Sequence, residues 1–259
     1  MAYDQTLVQI RERSFLEILD LALVVLRRRP LTVGLAAIAG AVPFAILNAW
    51  LTQEHNLPAI VYLFLLLLEI PWATAPLTIV LGGLMFGEPP SVRRIVKTMM
   101  QSFALMFLLQ FMLRGLLLIT FALALFIPLR LSFLNEVILL ERGRWRNVLR
   151  RSTVLCEPRG GELLGQSLAQ FFFGTLFVLA FWAGSGALMQ ALFSSELTWE
   201  PTWNDLVGPR FHLAIWVAIE FFGIARFFNY IDQRIRLEGW EVELRLRSVG
   251  RILEDAKRW

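Results

Sequence analysis

Cysteine, histidine and charged residues are all scarce in this chain. Its single cysteine, Cys156, excludes both an intrachain disulfide and a cysteine-based zinc cluster. The two histidines, His55 and His212, lie far apart in sequence and lack the spacing of metal ligands. The sequence has no glycine-rich phosphate loop, no GxSxG and no His-Glu-x-x-His motif. It therefore predicts no metal, no cofactor and no enzyme.

The low content of charged residues indicates a membrane protein. Charged residues make up 18% of the chain, apolar residues 57%, and the mean hydropathy is +0.60. A soluble domain has about a quarter charged residues, so this composition favours several membrane spans. The net charge of +4 arises from clustered basic residues. Basic clusters beside spans are expected from membrane topology alone, so nucleic-acid binding is disfavoured.

The chain is predicted to be an all-α, polytopic transmembrane helix bundle of about six spans. Residues 1–30 form an N-terminal amphipathic helix, 31–230 the six-span domain, and 231–259 a charged, cytoplasmic, amphipathic C-terminal helix. The N-terminal helix is expected either at the membrane interface or packed on the cytoplasmic surface of the protein itself. Four spans follow from apolar runs of sufficient length: Leu31–Leu51, Pro58–Phe86, Gly161–Phe193 and Phe211–Tyr230. Two prolines, Pro71 and Pro76, predict a kink in the second.

The apolar run Phe103–Leu140 allows two interpretations. It is too long for one span and about long enough for two. We expect a helical hairpin with its turn between Leu118 and Leu129. The alternative is a single tilted span followed by a re-entrant segment around Pro128.

The distribution of lysine and arginine orients the spans. Of the 25 basic residues, 21 lie in the segments 1–30, 87–102, 141–160 and 231–259. Six spans place all four segments on one side of the membrane. The positive-inside rule makes that side cytoplasmic, which predicts a bacterial inner-membrane protein with both termini in the cytoplasm. Within two of these segments we expect short basic surface helices, before Phe103 and at 144–155.

Two segments carry a family resemblance. Ile127-Pro128 is followed by NEVILLERGRWRNVLRRSTVL, which contains Glu141 and Arg150-Arg151-Ser152, and the second segment reads RFFNYIDQRIRLEGWEVELRLR. Both segments resemble the membrane domain named for glycerophosphoryl diester phosphodiesterases and related bacterial six-span proteins. The resemblance implies the six-span fold. It implies no enzyme, because the phosphodiesterase activity belongs to a separate soluble barrel that this sequence lacks.

Five of the charged residues inside the predicted spans are informative. Three of them, Glu69, Arg114 and Glu220, fall near mid-span and form a candidate intramembrane polar cluster. A charge there costs ~2.5–3.5 kcal/mol on insertion scales, so we expect Arg114 to pair with Glu69 or Glu220. The pair would either fix helix register or belong to a substrate or proton path. The other two, Glu136 and Arg226, lie close enough to cytoplasmic ends to extend to the interface.

These features favour a non-catalytic membrane protein that acts as a scaffold or assembly subunit. The charged C-terminal helix would contact a protein partner or a second copy of the chain, and the lipid bilayer surrounds the spans. The alternative is a transporter or lipid-handling protein that uses the mid-span charges.

Overall fold

The computed structural model describes residues 14–55, 58–85, 91–120, 126–141, 143, 145–193 and 208–238. Every regular element in this part of the chain is a helix, which confirms the predicted all-α fold. The α-helices, in chain order, are α1 (Phe15–Arg28), α2 (Pro30–His55), α3 (Ala59–Ala73), α4 (Ala75–Met85), α5 (Val92–Met106), α6 (Arg114–Ile119), α7 (Phe126–Arg130), α8 (Leu134–Glu136), α9 (Trp145–Cys156), α10 (Gly160–Phe193) and α11 (Pro209–Glu238). The π-helical segments Phe107–Leu113 and Val137–Glu141 and a 3-10 turn, Glu157–Arg159, connect some of them.

Among the described residues, five helical stretches are long and apolar enough to cross a membrane, which identifies a multi-pass membrane protein by length and composition. They are Pro30–Thr52, Ile60–Met85, Val92–Ile119, Trp145–Leu192 and Arg210–Glu238. Four of them correspond to the four spans predicted individually, with bounds that differ at some ends. The count of six depends on the segment 126–141 and stays a prediction.

The helix α1 begins at a capping box. The Ser14 hydroxyl accepts from the Glu17 amide at 3.4 Å, and the Glu17 carboxylate accepts from the Ser14 amide at 3.1 Å, so two free amides of the first turn are satisfied. Apolar residues at helical spacing, Ile18, Ala22 and Val25, are buried against the bundle, where α1 contacts α2 and α11. One face of α1 therefore packs on the protein, while leucines of its other face stay exposed.

A proline kink divides the second span at Thr74. Pro76 has no N–H to donate to the carbonyl four residues earlier, and its ring crowds that carbonyl. The helix accordingly ends at Ala73 and restarts at Ala75. The predicted kink is confirmed, and it exposes the backbone of this turn to neighbouring helices.

Glycines of two other helices lie directly against this kink. A Cβ atom on Gly40 of α2 would stand 1.8 Å from the carbonyl oxygen of Ala73. A Cβ atom on Gly223 of α11 would stand 3.0 Å from Cγ2 of Thr74. Both helices therefore approach the kink as closely as a residue without a side chain permits.

The basic surface helix predicted before Phe103 is not a separate element. Helix α5 begins after its N-cap residue Ser91 and continues through Phe107–Leu113 and α6, so that helix runs unbroken from Val92 to Ile119. The predicted boundary at Phe103 was wrong because residues 101 and 102, a glutamine and a serine, reduce hydropathy without stopping a helix. The second basic helix, predicted at 144–155, is confirmed as α9.

The helical segment 126–141 is interrupted at residues 131–133 and packs along α9. All of its helical pieces contact α9, a helix of about 18 Å at ~1.5 Å per residue. The carbonyl oxygen of Arg130 accepts from the Ser152 hydroxyl at 3.0 Å. The described segment, at ~24 Å if it were straight, is shorter than the ~30 Å hydrocarbon layer. Residues 121–125, inside the interval predicted for the turn, lie outside the described residues.

The two basic helices lie at the same end of the molecule. The π-helical segment Val137–Glu141 contacts both α5 and α9. Residues of α5 and the start of α9 also line one groove. This arrangement agrees with the clustering of positive charge on one side of a membrane.

Candidate functional site

The three predicted site residues do not form the expected ion pair. Among the described residues, no salt bridge joins Arg114 to Glu69 or to Glu220. Nε of Arg114 and both carboxylate oxygens of Glu220 are buried without a hydrogen-bond partner. Glu69 instead accepts from Nδ2 of Asn48 at 2.6 Å. Glu69 and Glu220 are thus buried as expected, but among the described residues neither carboxylate pairs with Arg114.

The buried ion pair of this protein joins Arg226 to Glu136. Nε of Arg226 donates to Oε1 of Glu136 at 2.8 Å, and its Nη2 donates to the Thr74 hydroxyl at 3.0 Å. Nδ2 of Asn135 reaches the same hydroxyl at 3.4 Å. Glu136 has no exposed surface, so the expectation that it extends to the interface was wrong. The pair joins the proline kink, α8 and α11 at one point inside the bundle.

Two of the predicted residues belong to the surroundings of this pair. The guanidinium of Arg226 interacts electrostatically with Glu220 and with Arg114. We call Arg114, Glu136, Glu220 and Arg226 the central charge cluster. Its two cations balance its two carboxylates when all four are ionised. A buried charge is tolerated only when an opposite charge and hydrogen bonds compensate it. In this cluster, Glu136 and Arg226 compensate each other.

Glu69 lies in a separate polar group between α2, α3 and α11. The ring centroids of Tyr62 and His212 are 4.8 Å apart, and Tyr62 interacts electrostatically with Glu69. The backbone oxygen of Gly208 lies 3.0 Å from Nδ1 of His212. Sequence analysis missed Asn48 and Tyr62 in this group. The sequence signal for each was a polar side chain within a mostly apolar stretch of helix.

At the basic end, Glu141 is the centre of a larger network. It accepts from Nε of Arg151 at 2.9 Å and from the Tyr230 hydroxyl at 2.7 Å, and Nε of Arg234 lies 3.9 Å away. Glu238 pairs with Arg151 and accepts from Nε of Arg234 at 2.9 Å. We call these five residues the terminal ion network. Arg234 and Glu238 form an i,i+4 pair on α11, and the rest of the predicted C-terminal helix, beyond residue 238, lies outside the described residues.

The terminal ion network joins the two segments that carry the family resemblance. Glu141 and Arg151 belong to the first segment, and Tyr230, Arg234 and Glu238 to the second. The hydrogen bond between Tyr230 and Glu141 joins residues that are 89 positions apart in the sequence. Charge-assisted hydrogen bonds of this kind are about twice as strong as neutral ones. The two segments are therefore parts of one structural unit that holds the end of α11 against α9.

An outer layer of polar contacts extends this unit. Asp232 accepts from Nε of Arg236 at 2.7 Å and from Nη1 of Arg159 at 3.4 Å. Nδ2 of Asn229 donates to Oε1 of Gln166 at 2.5 Å. Glu238, Asp232 and Asn229 in the last three turns of α11 are thus bonded to α9, to the 3-10 turn and to α10, respectively.

Comparison of the chain with protein-family models, curated proteins and solved structures gives no match. Within the described ranges, no group of three or more His, Cys, Asp or Glu residues has the arrangement of a metal site. What defines the protein is its fold, a multi-pass helical bundle with an internal ion pair at the proline kink and an ion network at its basic end.

Proposed function

We propose that this protein is a non-catalytic integral membrane protein that acts as a scaffold or assembly subunit of a membrane complex. The observation that supports this proposal best is the terminal ion network. Its bonds fix the end of α11 on α9 at the point where the chain continues into 239–259, a densely charged sequence with helical periodicity. A firmly held helix end gives such a segment a defined starting position, as expected of a docking element.

Native mass measurement in mild detergent tests this proposal. The full chain should migrate as an assembly, with itself or with a stoichiometric partner. A variant that ends after Gly239 should be monomeric. Thermal unfolding of this variant should match the full chain, because residues of the terminal ion network are retained. A full chain that is strictly monomeric, with no protein at stoichiometric amount, would contradict the scaffold role.

One observation favours the alternative of a transporter or lipid-handling protein. Both oxygens of Glu220 and Nε of Arg114 are buried without hydrogen-bond partners, next to the compensated pair of residues 136 and 226. Unpaired polar groups inside a membrane protein often mark an ion or substrate path. A transporter should lose its cellular function in the variant Glu220→Gln while accumulating normally. A scaffold should keep both its assembly and its cellular function.

We further propose that the basic end faces the cytoplasm of a bacterial inner membrane, with both chain termini on that side. The contact of both basic helices with Val137–Glu141 supports this orientation. Reporter fusions after Arg159 and Trp259 should be cytoplasmic, and those after Gln53 and Trp199 should be external. An external signal at Arg159 would place the two basic helices on opposite sides and contradict the orientation.

A further inference from the structure

An open groove of about 590 Å³ lies between α5 and the start of α9. Its lining changes from polar to apolar along α5. The lining residues are Gln101, Ala104, Leu105, Leu108, Gly143 and Trp145. Most of these residues are exposed, although four of the six are apolar. A groove with this lining, on a helix that continues into a membrane-length stretch, fits an amphipathic molecule better than a soluble one.

Two cations lie next to residues that line the groove. Lys97 lies one helical turn before Gln101 on the same face of α5. Arg146 follows Trp145, and its guanidinium carbon lies 5.1 Å from the centroid of that indole ring. Both cations are exposed, and neither has an ion-pair partner in the part of the chain that the structure describes. Arg151 and Arg159, in contrast, form ion pairs with carboxylates of the protein.

The apolar end of the groove continues toward the membrane interior. Ala104, Leu105 and Leu108 lie on one side of α5 and of the π-helical segment that follows it. From Gln101 to Leu108 the helix rises by about 10 Å. An acyl chain can therefore lie along this side while its headgroup stays level with the two cations. An indole ring such as that of Trp145 is enriched at the level of lipid headgroups.

We propose that this groove binds one anionic phospholipid from the leaflet at the basic end. Lys97 and Arg146 hold its phosphate, and one acyl chain contacts Leu105 and Leu108. Basic pockets between transmembrane helices recognise anionic headgroups in this way. A zwitterionic lipid binds more weakly, because its positively charged amine is repelled by the two cations. A free phosphate leaves the apolar half of the groove unused. This binding site is independent of the proposed scaffold role.

Tryptophan quenching by brominated lipids tests the site. The full chain is reconstituted in phosphatidylcholine vesicles that contain a minor fraction of brominated phosphatidylglycerol or of brominated phosphatidylcholine. The signal of Trp145 is the difference between the chain and its Trp145→Phe variant. The phosphatidylglycerol probe should quench this signal several-fold more efficiently, since each nearby cation enriches an anionic lipid by roughly fivefold. Equal quenching by the two lipids would overturn the proposal.

A matched pair of double variants separates the groove from the general charge of the surface. Lys97→Gln with Arg146→Gln should abolish the preference for phosphatidylglycerol. The control, Arg27→Gln with Arg28→Gln on α1, removes the same charge from exposed positions outside the groove and should keep the preference. An equal loss in both double variants would show surface electrostatics only and would overturn the site.

A third variant tests the apolar half of the groove. Leu108→Ser changes an exposed side chain and should weaken quenching of Trp145 by phosphatidylglycerol, since the acyl chain loses its contact. Unchanged quenching would show that no acyl chain contacts Leu108 and would refute the proposal. Slow reaction of the buried thiol of Cys156 with a maleimide, as in the parent chain, confirms that each variant is folded.

Discussion

Replacing Gly40 by alanine tests directly whether α2 rests on the kink of the second span. The new Cβ would stand 1.8 Å from the carbonyl oxygen of Ala73 and 2.9 Å from its carbonyl carbon. These are backbone atoms, so no side chain can rotate away. The helices must separate by about 1.6 Å for the Cβ to reach 3.4 Å, where ordinary contact begins.

The size of the effect follows from two opposing terms. Overpacking a well-packed interior costs ~1–3 kcal/mol, and a separation of this size affects the whole interface, so the upper end applies. Alanine recovers ~1 kcal/mol relative to glycine inside a helix. We therefore expect Gly40→Ala to lower the free energy of unfolding by roughly 2 kcal/mol.

The same helix offers a matched control. A Cβ atom on Gly34 would meet nothing within 4 Å, so Gly34→Ala should be neutral or stabilising by up to ~1 kcal/mol. Thermal unfolding in detergent can be followed with a thiol-reactive dye, because Cys156 is the chain's only cysteine and is buried in the folded protein. Equal unfolding temperatures for the two variants would refute the close approach of α2 to the kink.

Three further substitutions test the charged groups in the same unfolding assay. Arg226→Leu should cost ~3–5 kcal/mol because it leaves Glu136 buried without its partner, and adding Glu136→Leu should restore most of the loss; an unrestored double variant would argue against the pair. Arg151→Gln should cost roughly 1–3 kcal/mol through its bonds to two carboxylates, whereas the exposed neighbour substitution Arg150→Gln should have no effect. Arg114→Leu should change stability by less than about 1 kcal/mol, because no carboxylate among the described residues pairs with it, and a large loss would indicate an acceptor that this geometry lacks.

The sequence was sufficient for the helices and for most of the long apolar stretches. A membrane helix satisfies its backbone within itself, so length and composition identify it without knowledge of its neighbours. The kink at Thr74 was predictable for a similarly local reason, the spacing of Pro71 and Pro76. The start of the third stretch was not, because a fall in hydropathy at residue 102 does not change helix propensity.

The sequence alone could not predict which groups pair with the buried charged residues. Counting residues from the ends of straight spans gives a depth, but it gives neither the direction in which a side chain points nor the position of a broken segment. The break at residues 131–133 brings Glu136 to Arg226, and the kink brings the Thr74 hydroxyl to the same guanidinium. Arg114 was placed at a plausible depth, yet among the described residues neither Glu69 nor Glu220 forms a salt bridge with it.

The terminal ion network has a consequence for biosynthesis. Glu141 and Arg151 leave the ribosome long before Tyr230 and Glu238, since chains are made from the N-terminus. Until the last helix is inserted, the charged face of α9 has none of the partners that α11 supplies. A chain truncated before residue 230 therefore differs from the finished protein at one defined surface. A membrane protease or chaperone that recognises this open face can distinguish incomplete chains from complete ones.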